Sequence, residues 1–139
     1  MGYPISIVIL WKGEFTMKGI FVSESRSIRY AWAIVHGYKT IETRSKNMLS
    51  ACVGETVAVI RTRKGHKPDI IGFVDIVSAE FCPAKDFDKY ANQHLIPPGS
   101  KYDCHGKGKW MYHLANAESY FSQPLPDSAI RHGRSWCEF

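Results

Sequence analysis

The stretch Gly37-Tyr38-Lys39-Thr40-Ile41-Glu42-Thr43-Arg44, entered through Ser27-Ile28-Arg29-Tyr30-Ala31-Trp32-Ala33-Ile34-Val35-His36, decides how this sequence is read. In the leading segment residues 28, 31, 32 and 35 are apolar, the spacing that lines one face of a helix, and the segment predicts a helix of about two turns. Ser27 suits the N-cap because its hydroxyl can accept from a free N–H, and Gly37 suits the position after the last turn because it reaches left-handed dihedrals without a Cβ clash. From Thr40 the period changes to two and a strand is expected, with Thr40, Glu42 and Arg44 on one face and Ile41 on the other. A carboxylate and a guanidinium two positions apart can orient each other, with Lys39 adding a third charge at the turn. That triad suits a recognition site or a reaction centre. The plainer alternative is a solvated edge strand with ordinary surface charges.

Working outward, Ile5 to Trp11 is a β-branched apolar run, much too short to span a bilayer, and with no basic segment before it that would mark a targeting signal. A strand is expected there, turning at Lys12-Gly13-Glu14 into a second strand from Phe15 to Val22, so that about residues 1–19 form a strand or hairpin extension of one domain covering 1–139. After the central motif, Thr56 to Arg63 reads as a strand with Val57, Val59, Arg61 and Arg63 on one parity, so an apolar face turns cationic at its end. With Lys64-Gly65-His66-Lys67 it makes the densest basic cluster in the chain, suited to phosphates, or alternatively a hairpin tip kept soluble by charge.

Asp69 to Phe81 is apolar on both parities and reads as a central strand in which Gly72 allows a bend or bulge. Pro83 ends it, and Ala84 to His94 has Phe87, Tyr90, Ala91 and His94 at helical spacing, a face for packing in which His94 is assigned no ligand role. Pro97 to Trp110 is the longest irregular stretch and interleaves Lys101, Lys107 and Lys109 with Tyr102 and Trp110, cations for phosphate beside rings for a base. It lacks the order of a phosphate-binding P-loop, and Trp110 can equally belong to the core of the next strand. Trp110 to Tyr120 alternates as a strand, Ile130 to Arg134 is a second basic turn, and Ser135 to Phe139 is a closing strand.

The motif resembles the signature of ASCH domains, RNA- or DNA-associated members of the PUA-like superfamily. Ser27-Ile28-Arg29-Tyr30-Ala31 stands for the family's "S-I-x-P-W-A", with Arg29 in place of Pro and Tyr30 in place of Trp, and Gly37-x-Lys39-Thr40-Ile41-Glu42-x-Arg44 for "G-x-K-x-x-E-x-R". The likeness extends over roughly residues 20–139, including Gly108-Lys109-Trp110-Met111-Tyr112. It implies an α+β fold, a small β-barrel flanked by two or three helices, with a cleft lined by Lys39, Glu42 and Arg44. The many short strands between Gly and Pro turns agree with a small mixed barrel. Arg61, Arg63, Lys109 and Trp110 join the candidate site from their own charge and aromatic character, and Arg29, Tyr30 and Thr40 from their place in the motif.

At 139 residues with 18 Lys and Arg against 13 acids, a net charge of +5, the chain is permissive for a polyanion without requiring one. The four cysteines have no metal-binding spacing and read as reduced thiols of a cytoplasmic protein, so neither metal nor cofactor is expected. The leading expectation is a module for RNA or another single strand, Lys39 and Arg44 holding phosphates, Glu42 fixing Arg44 or accepting from a base, and Tyr30 or Trp110 stacking. The alternative is an enzyme on RNA or a modified nucleoside, with Lys39 and Glu42 as acid and base. ASCH-like amidohydrolases that act on acetylcytidine use a lysine and a threonine from this segment. Lys39 matches the lysine, but Glu42 fills the threonine position, which disfavours acyl transfer while leaving Lys39 and Glu42 as an acid–base pair. The resemblance also extends to ASCH-like proteins associated with ribonuclease activity, which Lys39, Glu42 and Arg44 suit as well.

Overall fold

Residues 16–139 are described by the computed structural model, and the strand expected at Ile5 to Trp11 lies outside them. Seven strands make one sheet: β1 (Lys18–Ser23), β2 (Ile41–Arg44), β3 (Thr56–Thr62), β4 (Asp69–Cys82), β5 (Lys109–Pro124), β6 (Ile130–His132) and β7 (Trp136–Glu138). Their order is β2-β5-β4-β3-β1-β7-β6. β1 runs parallel to β3 and every other neighbouring pair is antiparallel. A parallel pair needs a crossover, and the connection from β1 to β3 carries the helix α1 (Tyr30–Val35) and the edge strand β2. The central motif therefore occupies that crossover.

The architecture is the expected α+β sheet with short helices, but the sheet does not close into a barrel among the described residues. It curls instead. β4 and β5 shift register three times along their ladder, and β3 and β4 shift once more opposite Gly72. Each extra residue bends the sheet and increases its twist. The curl brings β2, at one end of the sheet, back towards β1, where the Arg44 guanidinium donates to the Phe21 carbonyl at 2.7 Å. A side chain thus spans the opening that a barrel would close with a ladder.

The helix is shorter than its sequence pattern. It begins at Tyr30, Arg29 is the N-cap, and no side chain caps it. Ser27 is exposed and lies outside the first turn. The neighbouring carboxylate of Glu24 takes the place of a cap, accepting from the Trp32 amide at 2.7 Å. The C-terminal reading holds: Gly37 follows the C-cap His36 with φ +79° and returns its amide to Ile34. Ala31, Ile34 and Val35 pack on Ile20, Val22, Val57 and Val59 of the sheet's inner face. Gly72 makes the close approach feasible, since a Cβ there would lie 2.1 Å from the Glu118 carbonyl oxygen and 2.7 Å from Val35 Cγ1. The outer face of β1 and β3 buries Phe21, Ala58 and Ile60 against Phe73, Leu125 and Phe139.

The segment expected as one helix is a 3₁₀ stretch, Ala84–Tyr90, followed by a single turn of α-helix, α2 (Ala91–His94). Leu95 ends it with φ 62°. Phe87 and His94 are buried and stacked, with centroids 4.1 Å apart. All four cysteines are free thiols. No helix among the described residues is long and apolar enough to cross a membrane.

Candidate functional site

The crossover sets Lys39, Glu42 and Arg44 where the curled sheet opens. Antiparallel pairing places Glu42 opposite Tyr112 and Arg44 opposite Trp110 on β5. The period of two holds, and the Glu42 and Arg44 side chains meet: Arg44 Nε and Nη2 both donate to Glu42 Oε2, at 3.0 and 2.8 Å. With its second contact to the Phe21 carbonyl, Arg44 has a fixed orientation. The strand is an edge strand, as the plainer reading expects, but it is not solvated. Lys39 is 1% exposed and Glu42 7%.

Lys39 is held from three sides. Its ammonium donates to the His94 carbonyl, sits 4.4 Å from the centre of the Tyr30 ring and lies 3.9 Å from Glu42 Oε1. Burial lowers its pKa to about 8, the attraction of Glu42 opposing that fall and the repulsion of Arg44 and Lys109 adding to it. His94 serves through its backbone, and its ring explains why that carbonyl is fixed. Nδ1 accepts from the Ile96 amide at 2.9 Å, and Nε2 meets the Phe87 carbonyl at 3.0 Å. His94 is a packed residue, as the sequence suggests, and it also anchors the buried lysine.

These groups line a cleft of about 520 Å³. Tyr30 and Tyr102 form an aromatic wall, edge to face with centroids 6.0 Å apart, and Tyr30 donates to the Leu95 carbonyl at 3.3 Å. Tyr102 arrives from the long irregular segment, which Asp103 orders by accepting from the amides of Gly99 and Cys104, both at 2.7 Å. Lys109, at the start of β5, is nearly buried in the cleft, and burial is the main cause that lowers its pKa. It has no hydrogen-bond acceptor of its own among the described residues.

Of the residues expected from the sequence, Tyr30, Lys39, Glu42, Arg44 and Lys109 line the cleft together. Thr40 lies beside it with its backbone engaged, its amide donating to Gln93 and its carbonyl accepting from Leu114. Trp110 packs against the core with Phe81 at its edge, 5.9 Å between centroids. Arg29 lies over the Trp32 ring, while Arg61 is paired with Asp69 through bonds of 3.1 and 2.5 Å. Arg29, Arg61 and Arg63 share a separate depression.

Two cations of the cleft, Arg131 and Arg134, and the Tyr102 ring lie outside that set. The basic stretch that carries the two arginines is visible in sequence, where it reads as a turn; Ile130–His132 is instead the strand β6, and nothing local shows that β7 pairs with β1 and brings both arginines to the cleft mouth. Arg131 rests over the Phe21 ring at 4.8 Å. Five cationic side chains then face one carboxylate, Glu42, in the cleft. Such a lining attracts an anion and, with two tyrosines, offers a flat apolar surface beside it.

No protein-family model matches the sequence, and no curated protein does. Solved structures do. A serine-to-alanine variant of the ASCH protein from Zymomonas mobilis superimposes with a TM-score of 0.65 at 17% identity, over 85% of both chains. A tyrosine-to-phenylalanine variant of that protein gives 0.61 at 19% identity, over 77% of this chain and 76% of the other. The unmodified protein gives 0.60 at 18% identity, over 77% and 73%. At such identities the likeness establishes the fold, which is that of the ASCH proteins.

Proposed function

We propose that this chain, which has the ASCH fold, is a nucleic-acid-binding module that seats one nucleotide of an RNA or other single strand in the cleft between β2, β5 and the β6–β7 turn. The observation that carries the reading is the lining: five cations against one carboxylate around a two-tyrosine wall, in about 520 Å³. That volume is ordinary for a small-ligand site. Arg131, Arg134 and Lys109 suit phosphate oxygens, and the tyrosines suit a base, whose stacking is worth on the order of 1 to 3 kcal/mol. Glu42 directs one oxygen to Arg44, so its first role is to hold that guanidinium in place.

A second reading, a hydrolase acting on RNA or a modified nucleoside, is favoured by one feature. Burial lowers the pKa of Lys39 to about 8, and its ammonium lies 3.9 Å from Glu42, an arrangement that suits acid–base work. Labelled single-stranded RNA incubated with wild type and Glu42→Gln, at low and moderate salt, separates the two. Intact RNA with salt-sensitive retention supports the module. Cleavage that disappears with Glu42→Gln transfers the site to the hydrolase, and absence of both retention and cleavage overturns both strand-directed readings.

A further inference from the structure

The cleft has a neighbour. Ser23, Thr62 and Tyr102 line both the cleft and an adjacent depression whose walls also carry Arg63, Lys64 and Lys101. That depression shares Glu24, Ser25, Arg63 and Lys64 with the next, which adds Arg26, Arg29, Arg61 and His66. Arg61 in turn borders a fourth, walled by Trp32, His36 and the exposed Phe121. Four depressions are thus joined side by side. The cations along the way are in part free of ion pairs: Arg26 and Lys64 are exposed, and the exposed Arg29 and Lys101 lie over the rings of Trp32 and Tyr102.

At the far end stands an aromatic platform. Trp32 is stacked with Tyr38 at 5.6 Å and 9° between planes, and with His36 at 4.3 Å and 24°. Arg29 covers the indole at 4.9 Å. Tyr38 is 64% exposed although it is a large ring. Cations followed by exposed flat rings are what a single strand requires, because unpaired bases stack while the backbone tracks positive charge. A duplex hides its base faces and has no use for such a platform.

We infer that the cleft is one end of a continuous track for a single-stranded nucleic acid, which passes Tyr102 and Lys64, crosses Arg29 and Arg26, and stacks a base on the Trp32–Tyr38 platform. The inference rests on the cleft reading for its starting point and adds the strand's path beyond the cleft and a second base-stacking site, at Trp32 and Tyr38. The platform favours unpaired bases over a duplex, and single-stranded RNA and DNA are both admitted.

The test is fluorescence anisotropy with a mononucleotide, a single-stranded RNA or DNA oligonucleotide of mixed sequence, and the corresponding duplex, against wild type, R26A/R29A/K64A and Tyr38→Ala. Wild type is expected to bind the single strand at least about tenfold tighter than the mononucleotide and the duplex. The triple variant loses about tenfold for the single strand, with a salt slope shallower by about 2, while its mononucleotide affinity and thermal midpoint stay unchanged. Tyr38→Ala loses about fivefold or more for the single strand alone. If wild type binds mononucleotide and single strand equally, the track is overturned and the cleft reading stands. Single-strand binding that the triple variant loses, while R131A/R134A at the cleft binds as wild type does, takes the strand off the cleft and overturns the track as drawn from it. A duplex that binds as well as the single strand, or variants without effect, also overturns the track.

Discussion

The ammonium of Lys39 lies 3.9 Å from Glu42 Oε1, while the other carboxylate oxygen of Glu42 takes both donors of Arg44. Glu42 is thus the one negative charge between two buried or half-buried cations. Replacing it by Ala leaves those cations facing each other with little water. Breaking a buried pair by removing one partner destabilises by roughly 3 to 5 kcal/mol, and the solvent access of Arg44 places this site near the low end. Urea unfolding should show Glu42→Ala losing about 3 kcal/mol and Glu42→Gln less, because the amide oxygen still accepts from Arg44. Equal losses in the two variants would mean that the hydrogen bonds to Arg44 contribute nothing.

Lys39 predicts a pH dependence whose sign is fixed. Its pKa falls from 10.5 in the unfolded chain to about 8 in the fold. Below about 8 both states hold the proton and folding must bury a charge. Between the two values the unfolded chain holds a proton that the folded chain has released, so stability rises with pH, by roughly 3 kcal/mol over the whole window. Lys39→Met lacks this rise. Unfolding free energies of wild type and variant, measured across that window, should diverge in favour of wild type as pH increases. Titrating groups remote from Lys39 are common to both and cancel. Parallel curves would show that Lys39 is not buried as a charge.

Much of this site is legible in the sequence because it is local. Lys39, Glu42 and Arg44 are near neighbours in the chain, and the change of period at Thr40 already places Glu42 and Arg44 on one face. The turn at Gly37 is equally local, whereas Ser27 misleads because a good N-cap residue predicts a start only if the chain turns there. Glu24 captured that start from outside the helix. What cannot be read locally is what the topology brings together. Arg131 and Arg134 reach the cleft through a pairing between β1 and β7 across more than a hundred residues, and the His94 carbonyl reaches Lys39 across 55 positions. Trp110 shows the converse, since its alternating strand pattern and its place in a basic loop were both real, and packing decided for the core.

Gly72 tests the packing that positions the site. The shift in register around it curves β4, and its missing side chain admits Val35 of α1 to the sheet. A methyl group there meets a backbone oxygen at 2.1 Å, which no rotamer change relieves. Overpacking of this kind typically destabilises by 1 to 3 kcal/mol, occasionally more, and backbone contact puts Gly72→Ala at about 3 kcal/mol. A thermal midpoint lowered by less than a few degrees would show that the β5 backbone at Glu118 and α1 both give way easily, and the cleft geometry built on them would then be soft.

Arg131 and Arg134 carry the last prediction because they belong to binding and not to stability. Both are exposed, Arg131 on β6 and Arg134 on the turn after it, and the Arg131 side chain makes only a ring contact, with Phe21. Their loss should leave the unfolding free energy within about 0.5 kcal/mol of wild type, as for surface substitutions generally. A nucleotide phosphate held at the cleft mouth would feel the loss directly. Each cation that neutralises a single-strand phosphate contributes about 0.7 to the slope of log affinity against log salt. R131A/R134A should therefore weaken RNA binding about tenfold at low salt and flatten that slope by about 1 to 1.5. Measured by anisotropy over a salt series, an unchanged slope with unchanged affinity would take the phosphate away from this turn. Equal weakening at every salt concentration would point instead to a change in shape, and Arg131→Lys, which keeps the charge, would then fail to restore binding.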